Sequence, residues 1–459
     1  MKKRTILTII AVIFLLSFSL QQTGKLSLFY RISGDKKGIL FGKSIGFYHD
    51  MDGDGVDEVA VGAPTAGKTG EGEVYIFFSS RQKNIMRSSE AALTLNGAYT
   101  GNMLGWMIDS GYDINGDNIN DLMVSGLGNK VAPGNVLVFY GKNEGMPSSN
   151  FSPDVIITSE NIEEFFGQSI CSNGDFNGDG INDLVVGAGF LNSAKAPLTG
   201  KVYIFYGGKL ENRLSTADAD IEITGEKNEK LGNSVSFIGD INGDGKDELA
   251  AGAFMSEDDS GMILGRTYIF SYSEGKKDFI SSDAGAAIAG ENDMDNFGTS
   301  IYSLGDLDGD NLGDFIVSAN SDGKAGRYTG KVYLFRGKTV SSNISAKNAD
   351  LIYEGNYAYC EMGSGFGMLG NRLLITGPGK VQMPSSFGGL FCLDISSLKD
   401  KNKNKFELLY KSPAPGTGFG NEMKVYDLDK DGNKEIFVGA YIDNINGDKS
   451  GSIYVYKIK

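Results

Sequence analysis

The chain has 459 residues, a net charge of −15, 65 glycines and 9 prolines. No cluster of Lys and Arg is visible, which argues against a phosphate-binding surface for nucleic acid. Glycine without a triplet period excludes collagen, and an aromatic content of 11% excludes a disordered chain.

The N-terminus opens with Lys2, Lys3 and Arg4, followed by an apolar run from Thr5 to Leu16 and a small-x-small pair at Ser17 and Ser19. This reads as an export signal over residues 1–19, cleaved after Ser19, with an uncleaved anchor as the alternative. The run falls short of the roughly 20 residues that span a bilayer. Residues 20–459 are then expected to form one propeller, with no other membrane-spanning segment. Cys171, Cys360 and Cys392 are too few for a disulfide framework. Cys360 and Cys392 are close enough in the repeat map to pair, which leaves Cys171 as a buried thiol.

A three-part unit then repeats seven times. Each copy starts at a Phe-Gly or Leu-Gly pair, with the glycines at Gly42, Gly105, Gly167, Gly232, Gly298, Gly367 and Gly420. A run such as VDEVAVGA (56–63) or INDLVVGA (181–188) follows, and then a β-branched and aromatic run such as VYIFF (74–78) or VYIFY (202–206). Such runs bounded by Gly read as strands. A fourth strand lies between units in six places, the last being FELLY (406–410). The missing seventh is LSLFYRISG (26–34), which precedes the first unit. The expected fold is therefore all-β: a seven-bladed propeller of four-stranded blades, closed by the N-terminal strand completing the last blade. Closure removes exposed sheet edges. A sandwich array fits units of this length less well, and a β-helix would show shorter repeats.

Six units carry a nine-residue insert between their first and second strands, of the form D-x-[DN]-x-D-[GN]-x-x-[DE]. In chain order the expected metal ligands, at positions 1, 3, 5, 7 and 9, form six sets. The first blade gives Asp50, Asp52, Asp54, Val56 and Glu58, and the second Asp113, Asn115, Asp117, Ile119 and Asp121. The third gives Asp175, Asn177, Asp179, Ile181 and Asp183, and the fourth Asp240, Asn242, Asp244, Lys246 and Glu248. The fifth gives Asp306, Asp308, Asp310, Leu312 and Asp314, and the seventh Asp427, Asp429, Asp431, Asn433 and Glu435. Position 7 offers a backbone carbonyl and the others side-chain oxygens.

Ca²⁺ takes roughly six to eight oxygens, and Gly at position 6 permits the sharp bend. An EF-hand would put its last carboxylate at position 12 between helices, zinc would want Cys or His, and magnesium keeps more water. Up to six Ca²⁺ are therefore expected. Asp, Asn and Gly also make ordinary turns, but six copies in register go beyond turn chemistry. Twenty-one of the chain's 58 acidic side chains stand at positions 1, 3, 5 and 9, so the acidity belongs largely to these loops. The sixth unit has only GMLGNRLL between Phe366 and Ile375, so Gly370 and Asn371 should make a hairpin turn there and bind no metal.

The Phe-Gly pairs, the Asp loops and Gly62-Ala63-Pro64 resemble the FG-GAP repeat family, the propeller found at the head of integrin α subunits and in many bacterial surface proteins. The resemblance covers nearly the whole chain after the signal, although most copies depart from Gly-Ala-Pro itself. It implies calcium on the lower face and ligand binding, often adhesive, on the opposite face. No leg or transmembrane domain follows the propeller in this sequence, so a free-standing head is expected.

His49 is the only histidine and reads as a strand-end residue, so a Ser-His-Asp or Cys-His centre has no base to use. The loops joining second to third strands carry Phe190, Arg327, Tyr328, Phe387 and Tyr441, candidates either for ligand contact or for local packing. The leading expectation is an exported calcium-binding module for a protein or glycan ligand, secreted, periplasmic or on the cell surface. The alternatives are a lyase-like carbohydrate-active enzyme and a structural envelope component.

Overall fold

The computed structural model describes residues 26–79, 83–143, 151–189, 192–193, 196–208, 210–226, 228–321, 328–340, 342–379, 386–395, 407–412 and 414–458. The expected signal, Phe190, Arg327 and Phe406 lie outside them. Seven antiparallel sheets follow one another along the chain. The first blade contains Ile45–Tyr48, Glu58–Ala63, Glu73–Phe77 and Leu93–Asn96, and the next five repeat that order. The seventh holds Phe419–Tyr426, Glu435–Ala440 and Ser452–Ile458, and its fourth strand is Leu26–Ser33 from the other end of the chain. The N-terminal strand therefore closes the ring, pairing from Leu26 against Ile458 to Ser33 against Ser452 with one register shift between Leu28 and Tyr30.

The strands read as nearly continuous apolar runs because both faces of each sheet are buried. Successive side chains alternate between the two neighbouring blades. Val59 and Val61 pack toward the seventh blade, with Phe437 and Val455, whereas Ala60 packs toward the second, with Leu122 and Val124. Seven such clusters result, one between each pair of neighbouring blades.

The repeated glycines explain how closely the blades approach. Gly42, Gly105, Gly167, Gly232, Gly298 and Gly420 all have φ between 84° and 96°, the left-handed region that disfavours side chains. Each meets a small residue on the second strand of the blade before it. A Cβ on Gly62 would lie 2.2 Å from the carbonyl oxygen of Gly105, and one on Gly187 would lie 2.1 Å from that of Gly232.

Three expectations need correction. The turn glycine of the sixth blade is Gly363, with φ 103°, whose N–H donates to Thr376 as Gly232 donates to Gly252. Gly367 lies inside the strand Gly365–Leu369 instead. The blades are also not uniformly four-stranded. Short strands Ile85–Arg87, Arg213–Ser215, Asp278–Ile280 and Ile344–Ser345 pair parallel onto the outer strands of blades seven, two, three and four. Each comes from the linker between third and fourth strands of the next blade, and it covers an edge that would otherwise be open. Finally, Cys360 and Cys392 are not joined in a disulfide. Cys360 packs in the cluster between blades five and six and Cys392 in that between six and seven. The Gly370-Asn371 hairpin forms as expected, with Leu369 paired to Arg372.

Ring closure is testable at Ser33 and Ser452, whose hydroxyl oxygens are 3.1 Å apart and buried. A Ser33→Cys, Ser452→Cys double variant should form a disulfide that non-reducing electrophoresis detects. It should raise stability by about 2–4 kcal/mol over its reduced form in thermal melts. Failure to cross-link under oxidation would contradict the closure.

Candidate metal centres and an aromatic face

All six inserts fold into one hydrogen-bonded shape. The position-1 carboxylate accepts the N–H of position 6, from Gly55 to Asp50 at 3.0 Å, Gly180 to Asp175 at 2.7 Å and likewise in the other four. The position-5 carboxylate accepts the N–H of position 7, from Val56, Ile119, Ile181, Lys246, Leu312 and Asn433. Position 9 reaches back to the N–H of position 2, as Asp121 does to Ile114 at 2.9 Å and Glu248 to Ile241 at 2.8 Å. Asp183, Asp314, Glu58 and Glu435 repeat this contact. The backbone amides thus fix one oxygen of each acid and set the direction of the other.

The third position divides the loops. Where it is Asp, in blades one, five and seven, three carboxylates converge with candidate ligand atoms within 4.8 Å of one another. These are Asp50, Asp52 and Glu58; Asp306, Asp308 and Asp314; and Asp427, Asp429 and Asp431. Where it is Asn, the amide of Asn115, Asn177 or Asn242 donates to the position-5 acid at 2.9–3.2 Å.

The ninth position divides them again. Asp121 and Asp183 spend their second oxygen on the N–H of Gly141 and Gly207, each at 2.8 Å, and Asp314 on Gly337 at 3.2 Å. Glu is one methylene longer, so its second oxygen reaches the loop interior. Glu58 Oε1 is buried there beside Asp50 Oδ1 and Asp52 Oδ1, all three without a hydrogen-bond partner. Three converging, unpartnered carboxylate oxygens suit a hard divalent cation, and leaving them unpaired is costly. The first-blade loop therefore suits a divalent cation by its donor set. The sequence pattern treats Asp and Glu at position 9 alike and does not carry this distinction.

The cost appears as displaced titration. Burial, reinforced by the neighbouring acids, pushes Glu58 up to about 8. Burial likewise raises Asp121, Asp183 and Glu248 to about 7 and Asp314 to about 6.

His49 sits at the end of the first strand's loop, with Nδ1 3.5 Å from Asp57 Oδ1. Asp57 also accepts from Lys430 at 2.9 Å and from the Tyr426 hydroxyl at 2.5 Å.

The opposite ends of the blades carry aromatic rings. Tyr328 stacks on Tyr359 with centroids 6.3 Å apart, and Phe387 meets Tyr357 edge-on at 5.2 Å. The Lys411 ammonium lies 3.9 Å from the Phe387 ring centre. The N–H of Glu361 bonds to the carbonyl of Tyr328, which joins the loops of blades five and six into one surface. Tyr357 and Tyr359 were not singled out from the sequence, because they lie in a connection between blades and outside the repeated unit. Tyr441 packs against Gly418.

Comparison with known proteins agrees with the architecture. The FG-GAP repeat model matches residues 41–77 and 166–205. Phosphatidylinositol-glycan-specific phospholipase D of Mus musculus is 24% identical over 425 residues, covering 82% of this chain and 48% of that protein. Integrin alpha-8 of Gallus gallus is 30% identical over 174 residues, 37% of this chain and 16% of that protein. Integrin alpha-5 of Xenopus laevis is 32% identical over 212 residues, 45% of this chain and 18% of that protein. The chain spans about half the length, or less, of these curated relatives. It has an FG-GAP-repeat, integrin-α-like seven-bladed propeller architecture. Among the described residues no helix is long and apolar enough to cross a membrane.

The raised carboxyls predict how the metal-stripped chain responds to pH. Their folded pKa values exceed the ordinary range near 4, so they stabilise the fold at low pH, and that stability is lost as pH rises through about 6 to 8. The stripped chain should therefore melt at lower temperature at pH 8 than at pH 5. Saturating calcium should remove that decline, as scanning fluorimetry in matched buffers would show. A stripped chain that gains stability toward pH 8 would contradict it.

Proposed function

We propose that this integrin-α-like propeller is an exported binding module. Calcium in the D-x-[DN]-x-D loops rigidifies one face, and the opposite face engages a protein or glycan ligand. The observation that carries the reading is the pairing of the two ends. One end holds six loops of one hydrogen-bonded form, with three unpartnered carboxylate oxygens converging in the first. The other holds the rings of Tyr328 stacked on Tyr359 and of Phe387 edge-on to Tyr357, beside Lys411.

Aromatic faces stack on the apolar faces of sugars and anchor peptide side chains with little loss of conformational freedom. Export rests on the N-terminal sequence, with its basic start and short apolar run. Ions bound only by the native state stabilise it by mass action, about 2.7 kcal/mol at a hundredfold excess over the dissociation constant. Calcium here serves the scaffold, which holds the aromatic loops in fixed relation. Binding is favoured over catalysis because the single histidine is engaged with Asp57.

The test is binding of the purified chain to arrayed glycans and matrix proteins, with calcium and with chelator. Saturable, calcium-dependent binding without product formation is expected. Replacing Tyr328 and Phe387 together by Ala should weaken it about thirtyfold, roughly 2 kcal/mol, with the melting temperature kept. Undiminished binding by that variant would remove the aromatic face from the proposal, and a shortened glycan would favour an enzyme.

A further inference from the structure

The loop of the fifth blade already holds a cation supplied by the chain itself. Lys338 Nζ lies 2.9 Å from Asp308 Oδ2 and 2.8 Å from Asp310 Oδ2, the acids at positions 3 and 5. Arg336 Nη1 approaches the same Asp308 oxygen at 3.1 Å, and its Nε donates to Asp350 Oδ1 at 2.8 Å. A short helical turn, Gly337–Thr339, sets Lys338 over the loop.

The second blade provides an internal control. The residue after its third strand is Tyr140, and Gly141 and Lys142 follow as Gly337 and Lys338 follow Arg336. The N–H of Tyr140 bonds to Asp154 as that of Arg336 bonds to Asp350. There, however, Lys142 pairs with Asp154 at 3.0 Å and stays out of the metal loop. In the fifth blade Arg336 stands where Tyr140 stands and claims the equivalent acid, Asp350. Lys338 is left to find its partners in the loop. Third-blade Tyr206 likewise bonds to Asp220, and Gly208 stands at the lysine position.

We propose that Lys338 is a tethered counter-cation of the fifth-blade loop, so that a divalent ion enters this loop only by expelling the ammonium and at higher concentration than the first-blade loop requires. The proposal rests on the calcium reading. In the first-blade loop Asp50, Asp52 and Glu58 present oxygens with no partner to displace. In the fifth, two ion pairs must be given up first, which corresponds to roughly tenfold weaker binding. Hydrogen bonds from Lys338 hold Asp308 below the usual carboxylate range, and hydrogen bonds to Asp310 and Asp308 hold Lys338 above its own.

The experiment is calcium titration of the metal-stripped full chain by calorimetry, comparing wild type, K338M and K142M. K338M should tighten one site about tenfold, and K142M should leave the isotherm unchanged. R336Y, which restores the residue type of positions 140 and 206, should shift the same site in the same direction. An independent readout needs no variant: acylation of Lys338, followed by mass spectrometry, should be slow in stripped protein and speed up only at the higher calcium range. Superposable isotherms for wild type and K338M, with calcium bound by both, would overturn this proposal and leave the calcium reading standing. No calcium uptake by any form would overturn both.

Discussion

Neighbouring blades meet through a close approach between a glycine at the start of each blade and a small residue on the second strand of the blade before it. Gly105 lies against Gly62, Gly232 against Gly187 and Gly298 against Gly252, each too tight for a Cβ on the second-strand glycine. Where that strand carries Ser125, Ser318 or Thr376, the turn glycines Gly167, Gly363 and Gly420 have no room for a Cβ of their own. Hydroxyls tie the contact down, as Ser44 donates to the carbonyl of Gly105 at 2.8 Å and Thr376 to that of Gly420 at 2.7 Å. This spacing lets the large residues beyond it, such as Phe166 and Tyr203, pack into one cluster between blades. The repeated strand order brings all six acidic loops out at the same end.

The architecture was legible because its determinants are local and repeated. A glycine, an acid-rich turn and a β-branched run recur in order, and the leftover strand at the N-terminus could only complete the last blade. The errors fall where a determinant is not local. Phe366-Gly367 carries the expected letters, yet Gly363 makes the turn, because the missing insert shortens the sixth unit and the register is set by contact with Ser318. The fifth strands are two or three residues long, and their stability comes from the neighbouring blade, so no periodicity announces them. The placement of Glu58 and Asp121 differs by one methylene, which alters which oxygen is free only once the turn amide of Gly141 is in place. Tyr357 and Tyr359 join Tyr328 and Phe387 across two blades, a proximity that one unit's sequence does not contain.

Neighbouring loops are also linked to one another, so an ion site is not private to its blade. The N–H of Asp247 bonds to the carbonyl of Asp175, that of Gly313 to Asp240 and that of Asp57 to Leu428, each joining one loop to the loop of the preceding blade. Lysines cross the same boundaries: Lys246 reaches the carbonyl of Asn177 at 2.7 Å, and Lys430 reaches Asp57 at 2.9 Å. Lys457 holds Glu435 within the seventh blade at 2.8 Å.

The acidic end of the ring therefore balances its charge in two ways, with an external ion or with an ammonium of its own. The choice is made loop by loop, by what stands next to it. Where no lysine reaches the converging oxygens, as at Asp50, Asp52 and Glu58, the fold keeps unpaired charge that a cation or a proton on Glu58 relieves. Where a lysine does reach them, as at Asp308 and Asp310, the loop holds its shape without an ion. Loops of one sequence pattern and one backbone shape thus need not have one affinity, because affinity depends on the partner that has to leave. On the calcium reading, a ring whose loops fill at different ion concentrations, and whose neighbours share backbone hydrogen bonds, would stiffen in steps as calcium rises. The steps would begin where the unpaired charge is greatest.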